Sequence, residues 1–219
     1  MADARPTDLT AAAFAARLTA AGAPGGVRMG QVFDLATEFI DLPPDEIEEL
    51  LDHPMREARV GGVSVMDKQA RRNSTPELYD LYLRRMDRID DWDLVDLGAP
   101  FVVGRYLFDR PRGVLYELAR SENMWARRTA IVSTLYFVRK GDVADTFAIA
   151  ELLLDDEQDL VRKATGGLLR EAGKKDRARL VRFLDRYAAT MPRVTLRYAI
   201  ERLDRADRNH YLGLRRVGG

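Results

Sequence analysis

The chain repeats itself, and a repeat of this length leaves few folds open. The segments Trp125 to Val132, Leu160 to Gly167 and Val194 to Glu201 superpose at offsets of 35 and 34 residues, with Arg128, Lys163 and Arg197 in register. Arg59 lies 69 residues before Arg128, two periods earlier, and Val63-Ser64 then falls on Val132-Ser133. Trp92 to Asp96 occupies the slot between. A unit this short cannot bury its own apolar face, so successive copies must stack and share one core. Apolar residues recur at three- and four-residue spacing in Ile47 to Leu51, Leu78 to Met86, Ala126 to Val138, Phe147 to Leu154, Leu160 to Leu169, Leu180 to Tyr187 and Leu196 to Leu203, with no run of strict alternation. The expectation is an all-α protein, a right-handed α-solenoid of HEAT-like helix pairs. Tetratricopeptide repeats have a similar period, but their Trp, Leu-Gly, Tyr and Pro pattern is not found here.

Gly and Pro punctuate these helices at Ala23-Pro24-Gly25-Gly26, Leu42-Pro43-Pro44, His53-Pro54, Gly98-Ala99-Pro100, Arg110-Pro111, Gly141-Asp142, Gly173-Lys174 and Met191-Pro192. Such short connections make neighbouring helices antiparallel. The reading is one repeat domain over residues 11–210, a polar tail over 1–10 and a second tail over 211–219. Its 46% hydrophobic content is ample for a core. With no cysteine there is neither disulfide nor thiolate chemistry, and with no signal-peptide pattern at Met1 to Thr10 a cytoplasmic protein is expected; it is taken to be a monomer. No apolar run approaches the roughly 20 residues of a membrane-spanning helix.

A formal net charge of zero conceals a division. Residues 1–100 hold 11 Lys/Arg against 19 Asp/Glu, net −8, and residues 101–219 hold 24 against 16, net +8. Equivalent residues of stacked repeats face the same way, so Arg59, Arg128, Lys163 and Arg197 should line one stripe, most simply on a concave face. A cationic stripe suits duplex DNA, with affinity falling by about 0.9 log units per phosphate contact for each tenfold rise in salt. The same positions also suit the solvated rims of helices.

Trp92 and Asp96 are four residues apart, so on a helix an indole and a carboxylate point to one side. Arg128 follows from a later repeat. An aromatic face, an anion and a guanidinium suit a cationic sugar on a phosphate backbone. Asp90 or Asp91 is placed to cap the helix entering at Trp92. Structural roles stand beside these: Trp92 and Trp125 as core, Asp96 as partner of a neighbouring arginine. Asp87, Asp90, Asp91, Asp93 and Asp96 lack the convergent spacing of a Mg²⁺ site, and no metal or cofactor is expected. His53 and His210 lie outside every motif.

With Trp92-Asp93-x-Val95-Asp96, Asn123-x-Trp125-x-x-Arg128 followed by Ala130-Ile131, Lys163-Ala164-x-Gly166 running to Leu169-Arg170-Glu171, and Arg197-x-Ala199-Ile200, the chain resembles the AlkD-like family of HEAT-repeat DNA glycosylases, also called DNA alkylation repair proteins. The likeness runs from about Val27 to Leu203. It implies that Trp92 lies against the deoxyribose of a lesion, that Asp96 faces the anomeric carbon, and that Arg128 holds the backbone nearby. It implies removal of cationic N3- and N7-alkylated purines from double-stranded DNA without base flipping, some relatives accepting bulky adducts. DNA contacts are expected from Arg128, Arg59, Lys163, Arg170 and Arg197, and a lesion cleft from Trp125, Gly166 and Gly167. One departure stands out: where the family carries a second tryptophan, this chain has Gly167, which removes one wall of the cleft.

The residue chemistry agrees. An alkylated purine already carries positive charge and leaves without a general acid, so an ionised Asp96 need only stabilise the oxocarbenium-like sugar and orient water, while Trp92 offers a π face. Two other classes of function fit the same sequence: a non-catalytic reader of distorted or branched DNA, and a protein-interaction scaffold.

Overall fold

A computed structural model describes residues 8–22 and 26–214. Residues 1–7 and 215–219 of the expected tails, and Ala23 to Gly25 of the first break, fall outside them. Every described element is helical, so the class is all-α, and among the described residues no helix is long and apolar enough to cross a membrane. The chain divides into two compact units between Tyr106 and Leu107.

The first unit contains α1 (Ala11–Gly22), α2 (Met29–Glu38), α3 (Pro44–Asp52), α4 (Arg56–Arg72), α5 (Pro76–Arg84), α6 (Trp92–Gly98) and a π-helical turn (Ala99–Gly104); the short α7 (Arg105–Leu107) that follows contains the division. Proline opens α3 and α5 at positions where the missing N–H is not needed. Helix α4 is central and packs on α1, α2, α3, α6 and the π turn. Phe14, Phe39, Ile47, Leu50, Leu51, Met66, Leu81 and Tyr82 are fully buried, with Phe14 and Phe39 edge to face at 5.2 Å. Each such side chain contributes about 1.5–3 kcal/mol of transfer free energy.

The break expected at Gly98-Ala99-Pro100 does not end a helix. Pro100 has no N–H for the carbonyl four residues back, which is that of Asp96, and its ring would collide there in a regular α-turn. The backbone widens instead into a π turn, closed by the Arg105 amide on the Pro100 carbonyl, and the helical path continues from Trp92 to Leu107.

The second unit contains α8 (Gly113–Leu118), α9 (Met124–Arg139), α10 (Ala144–Leu152), α11 (Asp159–Gly173), α12 (Arg177–Tyr187), α13 (Arg193–Ala199) and α14 (Arg205–Gly213). Helices α9, α11 and α13 lie side by side, α10 packs against α9 and α11, and α12 packs against α11, the arrangement of stacked helix pairs. Helix α14 continues three residues into the segment read as a C-terminal tail. It does so because Tyr211 is buried and its hydroxyl donates to Asp185 at 2.8 Å on α12.

Within each unit, polar side chains tie one repeat to the next at roughly one period. Arg56 reaches Asp91 and Asp93, Arg85 reaches Glu48 and Asp52, Arg127 reaches Asp156, and Arg170 reaches Glu201. Arg112 joins Asp142 at 2.7 Å and Asp145 at 2.5 Å beneath the Phe137 ring. That hydrogen bond holds the Asp142 carboxyl below the usual carboxylate range, with the Ala144 amide and the Arg112 charge acting in the same direction against burial.

Candidate functional site

In the first unit, helix α6 begins at Trp92 because the Asp91 carboxylate accepts the Trp92 amide at 2.7 Å. Leu94, Val95 and Gly98 turn inward and are buried. The opposite side carries Trp92, 51% exposed, and the exposed Asp96 one turn later. Trp92 is therefore not a core residue.

Three neighbouring acids of this run are held by arginines. Arg56 on α4 binds Asp91 at 3.0 Å and also Asp93, and Arg59 binds Asp90 at 2.8 Å. These hydrogen bonds, that of Asp93 first and then that of Asp91, raise the Arg56 pKa above its ordinary value. Asp87 lies 3.4 Å from Arg85 and from Arg88. Among the described residues, no three His, Asp or Glu side chains group as metal ligands. Arg59, expected in the DNA-binding stripe, is thus largely offset by Asp90.

In the second unit, Arg128, Lys163 and Arg197 are each the fifth residue of their helices, α9, α11 and α13. The register is shared and the exposure is not. Arg128 is 6% exposed and donates to the Leu160 carbonyl in the first turn of α11, so its guanidinium is committed to joining two helices. Lys163 pairs with Asp159 at 2.8 Å, whose hydrogen bond and then charge raise its pKa, with a smaller contribution from Tyr198 on α13. That pair is solvent-exposed and weak, so a phosphate can displace it. Arg170 is engaged by Glu201 and, at 3.2 Å, by Glu171. Arg197 is exposed and forms no ion pair among the described residues.

Gly166 and Gly167 turn out to serve different ends. A Cβ on Gly166 would lie 2.4 Å from the Thr195 carbonyl oxygen and 2.6 Å from the Tyr198 Cβ, so this glycine permits the close approach of α11 and α13. A Cβ on Gly167 would meet nothing within 4 Å. Trp125, held at the start of α9 by the Asn123 cap at 2.9 Å, is only partly buried. Tyr198, 39% exposed above Gly166 and near Lys163, was not distinguished by the sequence, where it reads as an ordinary repeat position.

The sequence matches the family described as DNA alkylation repair enzyme over residues 7–203. No curated protein matches it. Among solved structures it is similar to a protein from Enterococcus faecalis described as a predicted DNA alkylation repair enzyme, with a TM-score of 0.69 and 16% identity, covering 94% of this chain and 100% of that one. At that identity the structural likeness establishes a shared helical fold. The family pattern reaches through both compact units, from ahead of α1 to just past α13. On that match the chain belongs to the DNA alkylation repair enzyme family, a membership that supports a role in DNA repair.

Proposed function

We propose that the protein is a DNA glycosylase that hydrolyses the N-glycosidic bond of cationic N3- or N7-alkylated purines, bulky N7-guanine adducts included, without base flipping. The observation that carries this reading is the exposed face of α6 on which Trp92 and Asp96 stand one turn apart. The lesion's own charge makes the base a good leaving group. As the glycosidic bond lengthens, positive charge spreads over the deoxyribose, and the Asp96 carboxylate stabilises it and orients the attacking water. In free protein that carboxylate faces solvent; a duplex laid over it excludes water and strengthens its field. Trp92 packs its ring against the cationic sugar. A surface indole suits a sugar still within the duplex, whereas an extruded base would need an enclosed pocket.

The net +8 of residues 101–219 supplies the backbone contacts, with Lys163 and Arg197 the accessible members of the register and Arg59 and Arg170 reachable once their acids yield. Arg128 acts by fixing α11, and with it Lys163, against α9. Replacing Lys163 or Arg197 with Ala is expected to weaken duplex affinity for every sequence alike and to reduce the salt slope by about 0.9 each. Unchanged slopes would assign these helices to another partner.

The open space at Gly167, where the resembling family carries a tryptophan, supports the part of this reading that includes bulky adducts. Gly167→Trp is expected to fold normally, because nothing stands within 4 Å, and to shift preference from a bulky N7-guanine adduct toward N3-methyladenine. Equal relative rates in the two proteins would detach this glycine from substrate choice. The same opening also suits a non-catalytic reader of distorted DNA. Incubation with duplexes bearing N7-methylguanine, N3-methyladenine or a bulky N7-guanine adduct, followed by chromatography of released bases, separates the two. Tight binding with no release from any of the three would establish the non-catalytic role.

A further inference from the structure

Many cations of the second unit have an assigned acceptor: Arg112, Arg127, Lys163, Arg170 and Arg177 hold carboxylates, and Arg128 a carbonyl. The groove between α13 and α14 brings together two that have none among the described residues. It is an open groove of about 220 Å³, lined by Arg197, Ile200, Glu201, Arg208, Asn209 and Leu212. Both arginines are exposed, and neither forms an ion pair among the described residues. Glu201, the acid at its edge, is already bound by Arg170 on α11. Two arginines lining one small groove place like charges together, which an anion bound between them would offset. Ile200 and an exposed Leu212 add an apolar floor beside that charge.

We propose that this groove binds a phosphate group, Arg197 and Arg208 sharing its oxygens and the Asn209 amide donating a further hydrogen bond. Guanidinium forks match phosphate geometry, and the apolar floor suits the deoxyribose attached to a phosphodiester. The ligand is then a backbone phosphate of duplex DNA, an assignment that rests on the DNA-repair reading above and adds α14 to the DNA-contacting surface.

The test measures duplex affinity across a salt series for the wild-type chain, Arg197→Ala, Arg208→Ala, the double variant, Asn209→Ala and Arg205→Ala. Arg205 is an equally exposed cation on α14 that does not line the groove. One shared phosphate predicts that either groove variant lowers the salt slope by about 0.9 and that the double variant lowers it no further. Asn209→Ala should weaken binding at an unchanged slope, and Arg205→Ala should leave both nearly as they were. If the wild-type chain binds duplex and Arg208→Ala has the same slope, the groove assignment falls and DNA binding stands. If no duplex is bound, ¹⁵N spectra of the arginine side chains with inorganic phosphate decide. Shifts at Arg197 and Arg208 alone would keep the phosphate site while overturning duplex DNA as its ligand; no shift would overturn the site as well.

Discussion

Asp96→Asn is expected to slow base release from N7-methylguanine DNA by about 100-fold or more, with duplex affinity and melting temperature unchanged. The amide keeps the size and most hydrogen bonds of the carboxylate and loses its charge, and charge is what a cationic sugar demands. Asp96 is exposed and lies outside the packed side of α6, and the isosteric amide leaves that packing untouched. A fall in rate together with a fall in affinity would instead make Asp96 a ground-state contact. A variant as fast as wild type would remove it from the chemistry altogether. Pro100 lends this position a further interest: the π turn that begins at Ala99 sets the course of the backbone just beyond Asp96. Such turns recur at functional sites.

Gly166→Ala is expected to destabilise the protein by about 3 kcal/mol, a large core overpacking effect for one methyl group. The added carbon would fall 2.4 Å from a backbone carbonyl oxygen, which cannot swing aside as a side-chain tip can, so α11 and α13 must separate. Gly167→Ala, one residue later in open space, should instead stabilise by about 0.5–1 kcal/mol, the ordinary gain of removing a mid-helix glycine. Urea unfolding of both variants at equal m-value gives a direct comparison. If the two behaved alike, α11 and α13 would not meet at Gly166.

Much of this architecture was legible in the order of residues. Apolar spacing located the cores of α3, α5, α9, α10, α11, α12 and α13, because a helix that must bury one face writes that face every three or four residues. Proline and glycine marked most connections. The cap at Asp91 was legible as well, since an aspartate before a helix start satisfies an otherwise orphaned amide. The break at Pro100 was misjudged: proline forbids a regular α-turn, yet the chain has a wider turn available that keeps the helix going.

The site was legible in part, and the division has a physical cause. That Trp92 and Asp96 share a face, and that Arg128, Lys163 and Arg197 share a register, follows from helical periodicity, a property of the local chain. Whether a charge in that register is available depends on what another helix brings to it. Arg128 meets the Leu160 carbonyl, Arg59 meets Asp90, Arg170 meets Glu201, and Arg197 meets no carboxylate. Gly166 and Gly167, adjacent and chemically identical, differ for the same reason: one faces the Thr195 carbonyl and the other faces solvent. The sequence by itself therefore determined the class, the repeat and the faces of its helices, which depend on neighbours a few residues away. Only the tertiary structure decided which of those residues remain accessible to a ligand, because accessibility is set by atoms about thirty residues distant along the chain and a few ångströms away in space.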